Sequence, residues 1–443
     1  MHSLYIHIPF CTHRCAYCDF NTYAGQEAAI PAYVEALCRE IQFTGRQAAQ
    51  LPDSPINVHT IFFGGGTPSL LSPEQFGAIL KTIRASFVLT EDAEITIEAN
   101  PGTVSYENLL QLRRLGVNRI SFGVQSANME ELRMLERTHT FFDVIEAVAS
   151  ARRAGFDNLN LDLIYGLPEQ NLKTWQTTVK RILDLHPEHI SAYALTLEHG
   201  TPFGRWSAKG LLPLPDPDLA ADMYEWAGET FEAYGYLQYE ISNWAKHIAS
   251  SGAKRSRDAE KCPGFACRHN LQYWRGLPYL AFGAGAHGYA RGYRYSNVLR
   301  IKTYIDRLAD SPITNYSITN YPLTNYQFPL TPAVVNHHKQ SLQDDMSEFM
   351  MTGLRLTQEG VSESEFQARF GMSMRHIYEE EIDQLLQLGL LEWEESVATN
   401  PARPSPQEGR GGTRTAIEVG GDRVKLSQQA RLLANQVFMR FVG

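Results

Sequence analysis

Through the first 200 residues, short apolar runs alternate with longer amphipathic ones. Runs of strand character fall at 4–8, 58–63, 94–99, 119–123, 158–163 and 189–195. Between them, apolar positions recur at helical spacing over 31–42, 72–86, 105–115, 141–154 and 172–185. Ser72 offers a helix cap, with Glu74 inside the first turn. Strands alternating with helices predict a parallel sheet joined by right-handed crossovers. Six such units predict an α/β fold, a partial (β/α)6 barrel of TIM type. Chemistry in such barrels gathers at the carboxyl ends of the strands.

Beyond residue 200 the pattern loosens. The expected division is a barrel at 1–200, a barrel extension at 201–310, an insertion at 311–338 and a C-terminal domain at 339–443. The extension is rich in Tyr and Trp and carries YEISNW, HNLQYW and GAGAHG. Residues 313–327, ITNYSITNYPLTNYQ, form a short tandem repeat without helical period, expected as an exposed insertion. Residues 346–391 predict helices, and 423–441 a strand followed by a helix. That is the outline of a small winged-helix-like α+β domain, with the Pro-, Gly- and Arg-rich stretch 399–421 as an enlarged wing. Its modest basic content suits a lid or docking module better than a DNA reader.

Composition narrows the function. Forty Lys plus Arg face 49 Asp plus Glu in 443 residues, a formal net charge of −9. Nucleic acid is therefore not an expected partner. The first ten residues, MHSLYIHIPF, lack the charged start and long apolar core of a signal peptide. No apolar run is long enough to span a bilayer. Of six cysteines, Cys11, Cys15 and Cys18 lie within eight residues. Such clustering points to metal in a reducing compartment, so a cytoplasmic location is expected. Cys38 reads as core; Cys262 and Cys267 read as packing or surface residues, with contact to a metal as the alternative.

The loop CTHRCAYCDF follows the first strand directly. Three thiolates on so short a loop can converge on one metal centre. Iron–sulfur clusters commonly take four cysteines, so three leave one iron of a cubane open. The amino and carboxylate groups of S-adenosylmethionine (SAM) can chelate such an iron. The alternative is a zinc knuckle with His13 or His7 as fourth ligand, but no second pair of ligands follows. This motif resembles the signature of the radical SAM superfamily, whose members use one electron from the cluster to cleave SAM.

Polar residues recur at successive strand ends. FFGGGTPS ends the second strand, and its glycines permit close backbone approach to a ligand. Glu98, in IEANP, is placed to bond ribose hydroxyls or to cap a turn before Pro101. Gln125 follows the fourth strand, and Arg137 lies twelve residues on, where a guanidinium can fix a carboxylate bidentately. Asp162, in LDLIYGLP, suits ribose or the sulfonium.

Taken together, YIHIPFC, GGGTPS, EANP, GVQS, LDLIYGLP, YEISNWA and GAGAH resemble the family of oxygen-independent coproporphyrinogen III oxidase and its HemW branch. The resemblance spans nearly the whole chain, apart from the two low-complexity stretches. It implies a [4Fe-4S] cluster on Cys11, Cys15 and Cys18. It also implies SAM contacts at Tyr5, Tyr17, Gly65, Gly66, Thr67, Glu98, Gln125, Arg137 and Asp162. Two departures favour the HemW branch. The oxidases carry a further cysteine two residues after the third, where this sequence has Phe20. They also carry a long arm before the cluster, whereas here the first cysteine is residue 11.

The branch implies a haem chaperone that binds haem and passes it to acceptor haemoproteins such as respiratory enzymes. It also implies an electron donor and peripheral membrane association through the acceptors. HNLQYW resembles the branch's haem-associated motif, which puts His269, Tyr273 and Trp274 near haem. On residue chemistry alone, His269 caps a helix and the aromatics fill core. His287 reads as a barrel-end histidine, and the methionines of 346–351 as core. Coproporphyrinogen oxidation, and radical SAM chemistry on another substrate, remain the alternatives.

Overall fold

The computed structural model describes residues 1–247, 262–309, 326–395 and 421–442. The described residues form two compact units. The first comprises Met1–Gln238, Ser242–Tyr273 and Leu277–Gln340; the second comprises Tyr239–Ile241, Trp274–Gly276 and Ser341–Gly443. Most of the TNY repeat and all but the last residue of the expected wing lie outside the described residues.

All six expected strands form: β1 (His2–Ile8), β2 (Asn57–Gly65), β3 (Val88–Ala99), β4 (Arg119–Gln125), β5 (Leu159–Tyr165) and β6 (His189–Ala194). They pair in sequence order, all parallel. Each crossover carries a helix: α1 (Ile30–Ala48), α2 (Pro73–Ser86), α3 (Tyr106–Leu115), α4 (Phe141–Arg153) and α5 (Leu172–Leu183). Ser72 caps α2 in a reciprocal box with Gln75. Thr140 and Asp143 do the same for α4.

Strand alternation sorts the side chains. Leu4, Ile6, Ile61, Phe63, Ile97, Ile120 and Leu161 point one way and join a core with the helices. Ser3, Thr60, Thr96, Ser121, Asn160 and Ser191 occupy the alternate positions and are also buried. The inner face of the sheet is therefore polar, and most of the apolar burial lies outside it.

The sheet is larger than the pattern predicts. Six further strands extend it: β7 (Tyr236–Glu240), β8 (Asn243–Lys246), β9 (Tyr279–Phe282), β10 (His287–Ala290), β11 (Tyr293–Asn297) and β12 (Val334–Lys339). The order is β12-β11-β10-β9-β1-β2-β3-β4-β5-β6-β8-β7. Strand β9 runs parallel to β1, and β10 to β12 follow antiparallel.

The second unit has its own core, including Met346, Met350, Phe366, Met374, Leu385 and Val424. The expected core role of the methionines is met at Met346 and Met350. Helices α7 (Leu342–Gly353), α8 (Glu363–Phe370) and α9 (Glu379–Gln387) accompany three short strands, Val361–Ser362, Leu391–Glu395 and Gly421–Leu426. The last of these sits between the other two, antiparallel to both. Helix, strand, two helices and a hairpin give the winged-helix-like order. No helix among the described residues is long and apolar enough to cross a membrane.

Candidate functional site

The carboxyl ends of β1 to β6 open into a cleft of about 410 Å³. It is lined by Cys11, Cys15 and Cys18, and by Tyr17, Gly65, Gly66, Thr67, Glu98, Gln125, Arg137 and Asp162. Eleven of the twelve residues expected around cluster and SAM are thus brought together. Tyr5 is not. It lies within the sheet, its ring against Phe62 and its hydroxyl donating to His7 Nδ1 at 3.0 Å.

The cysteine loop leaves β1 and returns beside it. Phe10–Cys11 pairs with Tyr23–Ala24 as a short ribbon that closes the base. All three cysteines are free thiols. Thr67 Oγ1 donates to Cys11 Sγ at 3.5 Å, and Arg137 Nη1 to Cys15 Sγ at 3.6 Å. Burial pushes the Cys11 and Cys18 thiols up, so iron must displace their protons to bind. Among the described residues, no three Cys, His, Asp or Glu side chains are gathered tightly enough to hold a single ion. A cubane binds each cysteine to a different iron and needs wider spacing. Three free thiols facing one cleft, with a guanidinium beside one of them, fit that larger group.

Glycines shape the second strand's end. A side chain on Gly65, whose φ is +106°, would meet the His7 ring at 2.3 Å. One on Gly66 would meet the carbonyl oxygens of Phe10 and Ile8 at 2.6 and 2.7 Å. The N–H groups here already have acceptors: Gly65 donates to Glu98 Oε2, Gly66 to Ile8 O, and Thr67 to Phe10 O. The glycines thus bring β2 against the cysteine loop, a role that the motif alone did not reveal.

Glu98 stands at the end of β3, whereas Asp162 lies in the middle of β5, which continues to Tyr165, and not at its end as expected. Burial, then the neighbouring Asp162, push the Glu98 carboxyl up to about 7, against the pull of the Gly65 N–H. Asp162 accepts from Ser121 Oγ at 2.7 Å and Asn160 Nδ2 at 2.8 Å. Neither partner was expected from sequence; their inward position on β4 and β5 is the signal that finds them. Arg137 Nη2 donates to Gly123 O at 2.7 Å, while its buried Nε has no protein partner. Gln125 adopts φ 69°, a left-handed strain at the strand end beside the cleft. Phe20, on the cysteine loop, lines the mouth and is 67% exposed.

The HNLQYW segment lies elsewhere. In helix α6 (Arg268–Trp274), His269 is buried in the first unit, outside the cleft lining. Its Nδ1 is 2.8 Å from Thr60 Oγ1 and its Nε2 is 2.9 Å from the Tyr273 hydroxyl. Glu94 accepts from the backbone N–H groups of Arg268 and His269 and so fixes the start of the helix. Burial pushes the His269 imidazole down to about 3, leaving it neutral. Trp274 groups with the second unit. His287 is exposed at the start of β10. Cys267 is buried beside Glu94, Cys262 is half-buried, and Cys38 packs against the first unit's core.

The model of the Radical SAM superfamily matches residues 5–182, and that of the HemN C-terminal domain matches residues 340–398. The Heme chaperone HemW of Bacillus subtilis (strain 168) is 36% identical over 444 residues, covering 100% of both chains. The chain belongs to the HemW family. The Escherichia coli (strain K12) member is 41% identical over 287 residues, which is 65% of this chain and 69% of that one. Among solved structures, coproporphyrinogen III oxidase (HemN) from Escherichia coli, a radical SAM enzyme, superposes with a TM-score of 0.73. It is 22% identical and covers 99% of this chain and 89% of its own, which establishes a shared fold.

Proposed function

We propose that this chain is a haem chaperone of the HemW type that retains a SAM-binding [4Fe-4S] site. The observation that carries the reading is the end-to-end match with the Bacillus relative named a haem chaperone. Phe20, at the place of the oxidases' extra cysteine, supports it.

In this reading Cys11, Cys15 and Cys18 hold the cluster. Together with SAM, the cluster would supply one-electron reductive chemistry. The protein's share is placement. Arg137, with an unpartnered Nε and one amino group held by Gly123 O, presents a guanidinium for the SAM carboxylate. Glu98 and Asp162 offer acceptors for ribose hydroxyls and negative charge for a sulfonium. An ammonium group only donates, so at the glycine turn it would need backbone carbonyl oxygens and not the N–H groups. Thr67, Gln125 and Tyr17 complete the walls.

Haem would pass to acceptor haemoproteins, respiratory enzymes among them, and any meeting with the membrane would run through those acceptors. The cluster also needs an electron donor. Thiols that must stay reduced for iron favour the cytoplasm. The motif's haem contacts at His269, Tyr273 and Trp274 require rearrangement. His269 would have to leave Thr60 and Tyr273 to ligate iron.

The test joins two assays on anaerobically reconstituted protein. Haem titration should show stoichiometric binding, weakened in His269→Ala. Coproporphyrinogen III, SAM and a low-potential reductant should give no protoporphyrinogen beyond one equivalent. Repeated turnover would replace the chaperone reading with the oxidase. Unchanged haem affinity in His269→Ala would remove that residue from the haem site.

A further inference from the structure

Two motifs are left over from the site: the histidine of YIHIPFC and the loop GAGAHG. They meet at one residue, Asn21, where the cysteine loop returns to the sheet. His7 Nε2 is 3.0 Å from the Asn21 carbonyl oxygen. A carbonyl can only accept, so Nε2 carries the proton, and Nδ1 accepts from the Tyr5 hydroxyl. The tautomer is set by its neighbours. The Asn21 side chain reaches the other way: Nδ2 donates to Ala284 O at 3.1 Å and to Leu299 O at 3.0 Å. Ala284 belongs to GAGAHG, and Leu299 follows β11.

The space around this bridge is fitted closely. Gly285 has φ +80°, and a side chain there would come within 2.4 Å of Asn21 Nδ2. A side chain on Gly283 would strike the His7 carbonyl oxygen at 2.5 Å. Glu40 holds the Gly283 N–H at 2.9 Å from below. The sheet extension is thus shaped to receive Asn21. Cys18 lies three residues before it, and Thr22, one residue after it, places its hydroxyl 4.0 Å from Cys18 Sγ.

We propose that Asn21 is a positioning residue for the cluster, a latch that ties the return of the cysteine loop to His7 on one side and to GAGAHG on the other. The latch fixes where Cys18 stands relative to Cys11 and Cys15. The inference rests on the reading of those cysteines as cluster ligands. The sheet extension then has a task in the site although GAGAHG contributes nothing to the cleft wall.

The test uses the full chain with Asn21→Asp and Asn21→Ala. Aspartate keeps the shape but sets oxygens against two carbonyls, so both donations are lost. Apoprotein circular dichroism should match wild type. After anaerobic reconstitution with iron and sulfide, a ferrous chelator should strip iron roughly thirtyfold faster from either variant, the factor expected when about two net hydrogen bonds are lost. The electron paramagnetic resonance signal of the reduced cluster should also change shape, which a general loss of stability would not produce. Gly285→Ala, which presses on Asn21 from the other side, should reproduce both effects. It carries the test should the Asn21 variants fail to fold. Wild-type iron retention and an unchanged spectrum in the folded variants would overturn the latch. Failure of wild type to take up iron would instead overturn the cluster reading.

Discussion

At the scale of single residues, the site's unusual property is a carboxyl whose proton leaves near neutrality. Glu98 titrates near 4.5 in the unfolded chain and at about 7 in the folded one. Between those values the folded chain holds a proton that the unfolded chain has lost. Stability therefore falls as pH rises from 4.5 to about 7, and the penalty is complete above that. Glu98→Gln should make the apoprotein more stable by about 3 kcal/mol near pH 8, and by almost nothing near pH 4.5, in urea titrations. A gap independent of pH would show that solvent neutralises the carboxylate. His269 has the opposite sign. Its folded value of about 3 lies below the ordinary 6.5, so its contribution is whole above 6.5 and is lost as pH falls towards 3. His269→Gln should flatten that acid-side decline in thermal melts.

At the scale of elements, α1 is tied to the sheet extension through one buried carboxylate. Glu40 accepts from Gly283 N at 2.9 Å, Asn297 Nδ2 at 2.8 Å, Thr331 Oγ1 at 3.0 Å and Tyr304 Oη at 2.6 Å. Glu40→Ala strands four buried donors and should cost about 3 kcal/mol or more in urea unfolding. Glu40→Gln, which keeps one acceptor, should cost less. The first six strands were legible because their apolar alternation is long and regular. Strands β9 to β11 were not: they have four or five residues, each with Tyr and without a long apolar alternation, and their pairing is settled only by the fold. The same limit holds within the site. Cysteine spacing and residues at strand ends could be read directly. Ser121 and Asn160, which hold Asp162, become visible only when β4 lies beside β5.

At the scale of the whole molecule, the proposed cluster would link its assembly to folding. The three thiols face one cleft only when the loop has returned to the sheet, so iron held by all three would favour the folded chain. The reconstituted protein should melt at higher temperature than the apoprotein under anaerobic calorimetry, and Cys15→Ala should erase the difference. Equal melting temperatures for the reconstituted and apo forms of the wild type would refute a shared centre. The sheet's two faces carry a further consequence. Helix packing and most apolar burial lie on one side of each strand, while the polar groups leading to the cleft lie on the other. Folding instructions and chemical instructions thus occupy alternate letters of the same short words. One set can be rewritten while the other is left intact, and the superposition with HemN at 22% identity shows the shape kept across such a difference in sequence.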